Sequence, residues 1–369
     1  MSGSSGISDL AAFPGGIAST TIAHAASVAR KLSALTQQVS DGYIADTYAG
    51  LGNGLRTALV TAPAIAQQQA WQSNIAAATG AMQVAQTALA QISSIASTFY
   101  AASNNLNGLN PSEVNSVAAS ARDALVQMAG LLNSTDGANY VFSGQDTTNP
   151  PVPNGDAILS SGFYSQIQTA VAGLGVNGGS ATVASTLAIA TSNAAGTSPF
   201  SAYLSQPASA LALLRPVAIA AGGQPVPTSV VASANGDTVS GGASTTGSYT
   251  RDIMRALATL GSLRSTQTSD AGFSQVVADT YASLGGAITA LNADAGVLGN
   301  RQTQMQAESQ AAAATVTALQ SQLSNAQDVD MATALSRLTQ TQTQLQASYQ
   351  LISDSQSLSL IKYLSLTGG

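Results

Sequence analysis

The residues that could do chemistry in this chain are few, and histidine is the scarcest of them. His24 is the only histidine, and cysteine is absent. A Ser-His-Asp triad or a histidine metal site would therefore depend on this single residue. Disulfides, thiolate metal sites and cysteine nucleophiles are excluded. His24 falls in a segment with a helical pattern, so we interpret it as a half-exposed helix residue.

Two neighbouring acids, Asp328 and Asp330, are the next candidates, because paired carboxylates can bind a cation or share acid and base roles. They also precede a long helical pattern. The positive end of a helix dipole favours negative charge, and we interpret the two acids in that way. No glycine-rich stretch is followed by Lys-Ser or Lys-Thr, so none forms a phosphate loop. The sequence thus predicts no enzyme, no catalytic residue, no cofactor and no metal site.

The composition narrows the classes of partner. Only 8% of the 369 residues are charged, 45% are hydrophobic, and the formal net charge is −6. Phosphate binding needs clustered Lys and Arg, so a nucleic-acid partner is not expected. No stretch reaches the 18 or so uninterrupted apolar residues that a spanning helix needs, so no membrane span is predicted. The first residues lack the basic and apolar segments of a secretory signal peptide.

The elements that would position these residues are long helices, and the clearest runs from Asp328 to Leu364. Residues on one face of it recur at steps of four and three: Met331, Leu335, Leu338, Gln342, Leu345, Tyr349, Ile352, Gln356, Ser359 and Tyr363. A repeat of 3.5 residues is typical of a helix that packs against other helices along its length. The two glutamines in this face are predicted to set the register at some cost in stability.

A first helix is predicted from Ser19, its cap, to about Ser40, with a glycine stop at Asp41-Gly42. The same spacing predicts its packing face: Thr21, Ala25, Val28, Leu32, Leu35 and Val39. The loop that follows carries Tyr43 and Tyr48, which could either pack on a neighbouring element or contact another subunit.

A second helix is predicted to hold Pro63 in its first turn, where the missing N–H costs nothing. Its packing face is Trp71, Ile75, Ala78, Met82, Ala85, Leu89, Ile92, Ala96 and Phe99. We expect this face to be the partner of the C-terminal helix. A third helix is predicted to start with Asn110 as cap, Pro111 at the first position and Glu113 completing a capping box.

The middle of the chain has a different composition. From about 145 to 247, Gly, Pro, Ser, Thr and Val dominate, in short alternating runs separated by turn residues. This pattern is typical of strands and irregular structure, with helices expected only at 163–174 and 202–214. Helices resume at 248–264 and from Phe273 past Leu323.

We therefore predict a mainly α protein: an elongated antiparallel helical bundle or coiled coil formed by the N- and C-terminal segments, with an inserted mixed, mostly β domain. The predicted divisions are a mobile N-terminal end at 1–18, an N-terminal helical segment at 19–144, the outward-facing insert at 145–247 and a C-terminal helical segment at 248–369. Residues expected to pack within the bundle or between subunits are Val28, Leu32, Leu35, Trp71, Ile75, Met82, Leu89, Ile92, Phe99, Met331, Leu335, Leu338, Leu345, Tyr349, Ile352, Tyr363 and Leu364.

Three stretches resemble the bacterial flagellin superfamily. The C-terminal SNAQDVDMATALSRLTQTQTQLQASYQLISDSQSLSLIKYL is similar to that family's last helix, in which a Ser-x-x-x-Asp-x-Asp-x-Ala turn comes first. Gly296, Leu298, Gly299, Asn300 and Arg301 resemble its motif one helix earlier, and VSDGYIADTYAGLGNGLRTALV resembles the loop after its first helix. GANYVFSGQDTTNPPV and the tail SLIKYL are similar to the flagellin-like hook-associated proteins, which join hook to filament.

The resemblance implies a secreted structural subunit of the extracellular bacterial flagellum, with a role in motility. Such proteins leave the cell unfolded through the flagellar type III export channel and assemble by packing of their terminal helices. The implied partners are copies of the chain, hook-associated proteins, flagellin and an export chaperone. Our preferred hypothesis is that the chain is a hook-filament junction protein. A flagellin filament subunit and a secreted surface adhesin are the alternatives.

Overall fold

The computed structural model describes residues 13–106, 111–137, 139–219 and 224–366, without the side chains of 13–19, 111 and 355–366. The chain divides into two compact units. The first unit consists of 1–67 and 315–369, and the second unit of 68–314. Residues 145–247 belong to the second unit together with helices before and after them, and the four predicted divisions stay predictions. Of the predicted N-terminal end, 1–12 lies outside the described residues, and 13–18 is helical.

Helices dominate the described residues. They are α1 Phe13–Asp41, α2 Leu55–Asn105, α3 Pro111–Leu132, α4 Gly162–Ala172, α5 Leu174–Thr191, α6 Ala208–Leu211, α7 Tyr249–Ser262, α8 Phe273–Gln327 and α9 Met331–Leu366. Short 3₁₀ helices lie at Tyr48–Gly54, Ile158–Ser160, Ala212–Leu214 and Ser265–Ser269. The two strands, β1 Val217–Ile219 and β2 Pro225–Pro227, pair antiparallel. The mainly helical prediction is confirmed.

Several helix boundaries follow from local signals. α1 ends where Gly42 takes a left-handed conformation, with φ of 77°, as predicted for a glycine stop. α3 begins at Pro111, while its predicted cap, Asn110, lies outside the described residues. Ser248 precedes α7, and its hydroxyl accepts a hydrogen bond from the Arg251 amide at 3.5 Å.

Other boundaries differ from the prediction. α2 begins at Leu55, so Pro63 lies inside the helix rather than in its first turn. The surrounding turns keep the helix continuous although proline supplies no N–H. α9 begins at Met331 instead of Asp328, because Asp330 acts as its cap. α8 continues through Gly285, Gly286, Gly296 and Gly299 without interruption over its 55 residues.

The predicted mostly β character of 145–247 is wrong. Its described part contains three helices and two strands of three residues. The stretch VNGGSATVASTLAIATSN, predicted as strands, lies mainly in α5. Thr182, Thr186 and Thr191 each donate a hydroxyl hydrogen bond to a carbonyl three or four residues earlier, at 2.9, 3.0 and 2.8 Å. These bonds satisfy the polar atoms inside a helix, which propensity alone disfavours for threonine.

The second unit has one continuous apolar core. α3, α4 and α5 all contact α7, and α4 contacts α5. Fully buried members of the core come from α2 (Met82, Leu89 and Ile92), α3 (Leu125 and Met128), α7 (Ile253 and Leu257) and α8 (Val277, Leu284 and Leu291). Each such side chain contributes about 1.5–3 kcal/mol of burial free energy.

Candidate functional site: the exposed apolar surface of the first unit

In the first unit, α9 packs against α1. Buried residues on α1 are Ala25, Val28 and Leu35, and Leu32 is partly buried. α9 contributes the buried Ala334 and Thr341 and the partly buried Leu338, Leu345, Ser348 and Ile352. The inward residues of both helices recur at steps of four and three, as expected for a helix pair that packs along its length.

The inward face of α9 is rotated from the predicted one. Met331, Leu335 and Tyr349 are 42%, 47% and 56% exposed, although they belong to the predicted packing face. The observed face and the predicted face share Leu338, Leu345 and Ile352, and both satisfy the heptad spacing. Small residues occupy the remaining inward positions, which lets α1 and α9 approach closely. Met331, Leu335 and Tyr349 are therefore left on the outside of the helix pair.

These three residues are part of a wider exposed apolar surface of the first unit. Most of the large apolar side chains exposed among the described residues belong to this unit, although it is the smaller of the two: Ile22, Tyr43, Tyr48, Leu55, Leu59, Val60, Met331, Leu335, Tyr349 and Leu351. Concentrations of exposed apolar residues mark contact sites with other macromolecules. We call this set the apolar surface of the first unit.

The exposure of Tyr43 and Tyr48 bears on the two alternatives for the loop after α1. Both residues are about half exposed, which is compatible with packing on a neighbouring element and with contact to another subunit. Leu51, three residues after Tyr48, is the buried residue of this segment. Both alternatives for the two tyrosines stay predictions.

Backbone hydrogen bonds join the turn after α1 to the turn before α9. The Ile44 amide donates to the Gln327 carbonyl at 2.7 Å, and the Val329 amide donates to the Gly42 carbonyl at 2.9 Å. Tyr43 and Asp328 thereby form an isolated antiparallel bridge. Because the bridge ties the two turns together, it fixes the register at the start of the α1–α9 pair.

The two acids before α9 serve the helix ends. Asp328 accepts a hydrogen bond from the Ser324 hydroxyl. Asp330 accepts from the amides of Ala332 and Thr333 at 3.0 and 3.3 Å, and from the Thr333 hydroxyl at 2.7 Å. The Thr333 side chain, then its amide, holds the pKa of Asp330 below its usual value. This arrangement is that of a helix cap.

The candidates for chemistry can be located in the part of the chain that the structure describes. His24 is exposed on α1, and no group of three metal-binding side chains is found among the described residues. A cavity of about 460 Å³ in the second unit is lined by Asn193, Asn235 and Arg251, among others. The Arg251 guanidinium is already bonded to protein acceptors, so it offers the cavity no free set of donors.

The predicted α2 face lies in the core of the second unit. Ile75, Met82, Leu89, Ile92 and Phe99 are buried, and Trp71 is partly buried. In this region α2 contacts α8, and the expected packing of this face on the C-terminal helix stays a prediction. The Ser93 hydroxyl donates to the Asn292 side-chain oxygen at 2.9 Å. The Tyr100 and Tyr281 rings stack with centroids 4.1 Å apart.

Buried charges on α7 escaped the sequence prediction, which gave 248–264 as a helix and named none of its charged residues. Arg251 donates to three backbone carbonyls and to the Asn193 side chain. Burial lowers its pKa to about 10, while the charge of Asp252 opposes the shift. The Asp252 carboxylate accepts hydrogen bonds from Thr245 and Thr246 at 2.5 and 2.8 Å. One signal was available, since charged residues are so rare in this chain that a group of three on one helix stands out.

A second charged network joins α8 to the loop that precedes α7. Asp237 forms ion pairs with Arg215 at 3.3 Å and with Arg301 at 2.8 Å. Burial alone would raise the pKa of Asp237, but the hydrogen bonds and charges of the two arginines outweigh it and lower that pKa. Buried Asp294 accepts from the Gly236 and Asp237 amides at 2.5 and 2.9 Å. Both networks hold the loop in place.

The comparison with known proteins concerns most of α8 and all but the last two residues of α9. Residues 282–364 match the bacterial flagellin C-terminal helical region. This match supports the predicted resemblance of the chain to the flagellin superfamily. It includes the part of α9 that carries Leu335 and Tyr349, and Asn292 on α8. Flagellins are structural proteins that self-assemble into the extracellular flagellar filament. No curated protein matches the chain.

The helices that the structure describes include none with the length and apolar content needed to span a bilayer.

Of the remaining predicted packing residues, Tyr363 and Leu364 lie within α9. Their side chains are outside the described residues. The assignment of the whole predicted set to contacts between subunits stays a prediction.

Proposed function

We propose that this chain is a structural subunit of the bacterial flagellum that joins the hook to the filament. The observation that carries the proposal is the exposure of Leu335 and Tyr349 on α9, within the segment that matches the flagellin C-terminal helical region. In an isolated chain these apolar side chains would be left in water. Burial against the helices of neighbouring copies would remove them from it.

The apolar surface of the first unit is suited to contact with copies of the same chain and with related axial proteins. The residues that define it are all uncharged, and only 8% of the whole chain is charged. A neutral surface pays little desolvation cost when it is buried against a similar one. The proposal includes export of the unfolded chain through the flagellar type III channel with the help of a chaperone. The absence of cysteine means that no disulfide would have to form after export.

The junction role is supported by the stretch from Gly137 to Val152 and by the tail SLIKYL, which resemble flagellin-like hook-associated proteins. A filament subunit would share the same helices. The two roles differ in where the protein is found: a junction protein occupies one short zone between hook and filament, and a filament subunit occupies the whole shaft.

Localisation on isolated appendages tests the proposal. Because the chain has no cysteine, Val176→Cys at a highly exposed position of α5 gives one site for a maleimide-linked gold particle. Unmodified chain treated with the same reagent is the control. Label confined to the hook-filament boundary is the expected result. Label along the shaft would indicate the filament subunit, and unlabelled appendages beside labelled free chain would refute a flagellar role.

A further inference from the structure

The β1–β2 hairpin of the second unit has an unusual distribution of prolines. Val217 stands opposite Pro227, Ala218 opposite Val226, and Ile219 opposite Pro225. In an antiparallel pair, alternate positions exchange two backbone hydrogen bonds. Proline has no N–H, so the pair that exchanges both bonds is Ala218 with Val226.

A neighbouring bond agrees with this assignment. The Thr228 amide donates to the Pro216 carbonyl at 2.9 Å, and these two residues are the next alternate pair in the ladder. The N–H and C=O groups of Val217 and Ile219 consequently point away from β2. Among the described residues, neither of these amides makes a hydrogen bond.

The two edges of the hairpin therefore differ. On the outer edge of β2, the outward positions are Pro225 and Pro227, which cannot donate hydrogen bonds. On the outer edge of β1, Val217 and Ile219 offer two donors and two acceptors. Only β1 can receive a further strand with a full set of hydrogen bonds.

The β1 edge also lacks the features that usually prevent strand addition. Natural edge strands are protected by charged side chains, prolines or bulges. The segment 216–236 contains no charged residue, and the Val217 and Ile219 side chains are 53% and 47% exposed. Arg215, just before the strand, is buried and paired with Asp237. The edge thus presents two apolar side chains and unpaired backbone groups without a repelling charge.

We infer that β1 pairs with β1 of a second copy of this chain, antiparallel and about a two-fold axis. The prolines exclude the β2 edge of the second copy as a partner. The neutral β1 edge is self-complementary: Val217 faces Ile219 of the second copy, Ile219 faces Val217 of the second copy, and Ala218 lies at the axis. Each facing pair exchanges two backbone hydrogen bonds, so the contact has four and joins two hairpins into one four-stranded sheet.

The contact is small, so it needs a high local concentration of copies, and in that respect it rests on the proposed function. β-strand addition gains its affinity from main-chain hydrogen bonds, and four of them with a few apolar side chains give weak association in dilute solution. The inference goes beyond the helical surface of the first unit, because its contact uses a different unit and a different element.

Mixed disulfide formation tests the register directly. Full-length chains carrying Val217→Cys or Ile219→Cys are purified with different tags, concentrated, and oxidised separately or as a mixture. Facing residues in a hydrogen-bonded pair have Cα atoms about 5.5 Å apart, within the roughly 4.4–6.8 Å range of disulfides. We expect several-fold more covalent dimer in the mixture than in either chain alone. Equal yields in all three samples, or no dimer in the mixture, would overturn the inference.

Sedimentation of the full chain provides a second measurement. The double variant Val217→Lys and Ile219→Lys places four like charges at the two-fold contact and should abolish concentration-dependent dimerisation. The matched control is Val239→Lys, a similarly exposed valine of the same unit, which should dimerise like the unchanged chain. Circular dichroism establishes that all variants fold. An unchanged chain that remains monomeric at high concentration, or a double variant that still dimerises, would contradict the inference. Neither result bears on where the chain is found in the flagellum.

Discussion

Arg255 illustrates how much a single buried charge can contribute to this protein. It lies on α7, is almost fully buried, and donates to Asp279 of α8 at 3.0 Å and to the Ser244 carbonyl at 2.8 Å. Removing one member of a buried ion pair leaves the other charge without its partner, and this costs more than replacing both by apolar residues. The pair thus holds the loop at Ser244 and helix α8 onto α7.

Replacing Asp279 by alanine should lower the free energy of unfolding of the second unit by about 3–5 kcal/mol. The double variant Arg255→Met and Asp279→Leu should recover a large part of that loss, since it leaves no unpaired charge. Urea denaturation followed by circular dichroism measures both. A double variant less stable than Asp279→Ala would show that this pair stabilises the fold in a way that apolar packing cannot replace.

The stability of the first turn of α9 should depend on pH, because the Asp330 carboxylate caps this helix. The pKa of Asp330 is lowered in the folded chain by Thr333, so its contribution is present above the usual carboxyl pKa and is lost as the pH falls through the folded value. We expect amides in the first turn of α9 to exchange faster with solvent once the pH falls below about 4, near the usual carboxyl pKa. Hydrogen exchange, corrected for its intrinsic pH dependence, measures this. In Asp330→Asn, which can still cap, the acid-induced loosening should disappear; an unchanged acid response would contradict the assignment.

At the residue scale, the sequence predicted the role of the two acids before α9 better than it predicted the buried charges. The role of Asp328 and Asp330 could be interpreted from the helix that follows them, because its heptad spacing is visible in the local sequence. The buried role of Arg251 depends on carbonyls 18 to 61 residues away along the chain. Such contacts leave no spacing in the sequence that could identify them.

At the scale of the elements, α9 and α5 show two different reasons why a residue pattern does not determine the structure. α9 was predicted as a long helix, but two packing faces fit its heptads and share Leu338, Leu345 and Ile352. Within one chain the inward face is the one with Ala334 and Thr341, whose small side chains allow close approach to α1, and spacing alone could not choose between the two faces. α5 was missed since Gly, Val and Thr disfavour an isolated helix, and contacts with α4 and α7 outweigh that preference.

Two glycines in helices should respond in opposite ways to alanine. Gly178 divides α5 with φ of 79° and ψ of 167°, a conformation that costs other residues about 1–3 kcal/mol. Gly80 lies exposed inside α2, and an added Cβ meets no atom within 4 Å. Gly178→Ala should therefore destabilise the chain, whereas Gly80→Ala should stabilise it by up to about 1 kcal/mol. Thermal unfolding compares them, and a stabilised Gly178→Ala would contradict the backbone assignment.

For the molecule as a whole, the two units should differ in local stability. In the first unit, the described side chains of α9 pack on α1 and leave several apolar residues exposed. α7 of the second unit is buried along its entire length. Segments with few buried contacts open at lower free energy. We expect α7 amides to exchange only through global unfolding and α9 amides to exchange much faster, as measured by mass spectrometry. Equal protection of the two helices would count against this difference.

The mainly helical character could be predicted from heptad spacing over long segments, and the division into units could not. The sequence suggested a boundary where composition changes, near 145 and 247. Packing of α4, α5 and the charged loop onto α7 and α8 joins that segment to the second unit. Composition describes local preference, whereas a compact unit is defined by contacts between distant segments.

The central claim is that Leu335 and Tyr349, exposed on α9, serve contacts between copies and contribute little to the fold of one chain. The double variant Leu335→Gln and Tyr349→Gln, expressed in cells lacking the natural chain, tests it most directly, with Val176→Gln as the exposed apolar control in the second unit. We predict that the double variant keeps its helical circular dichroism and unfolding midpoint but is absent from isolated appendages, while the control is incorporated normally. Normal incorporation of the folded double variant would contradict the account.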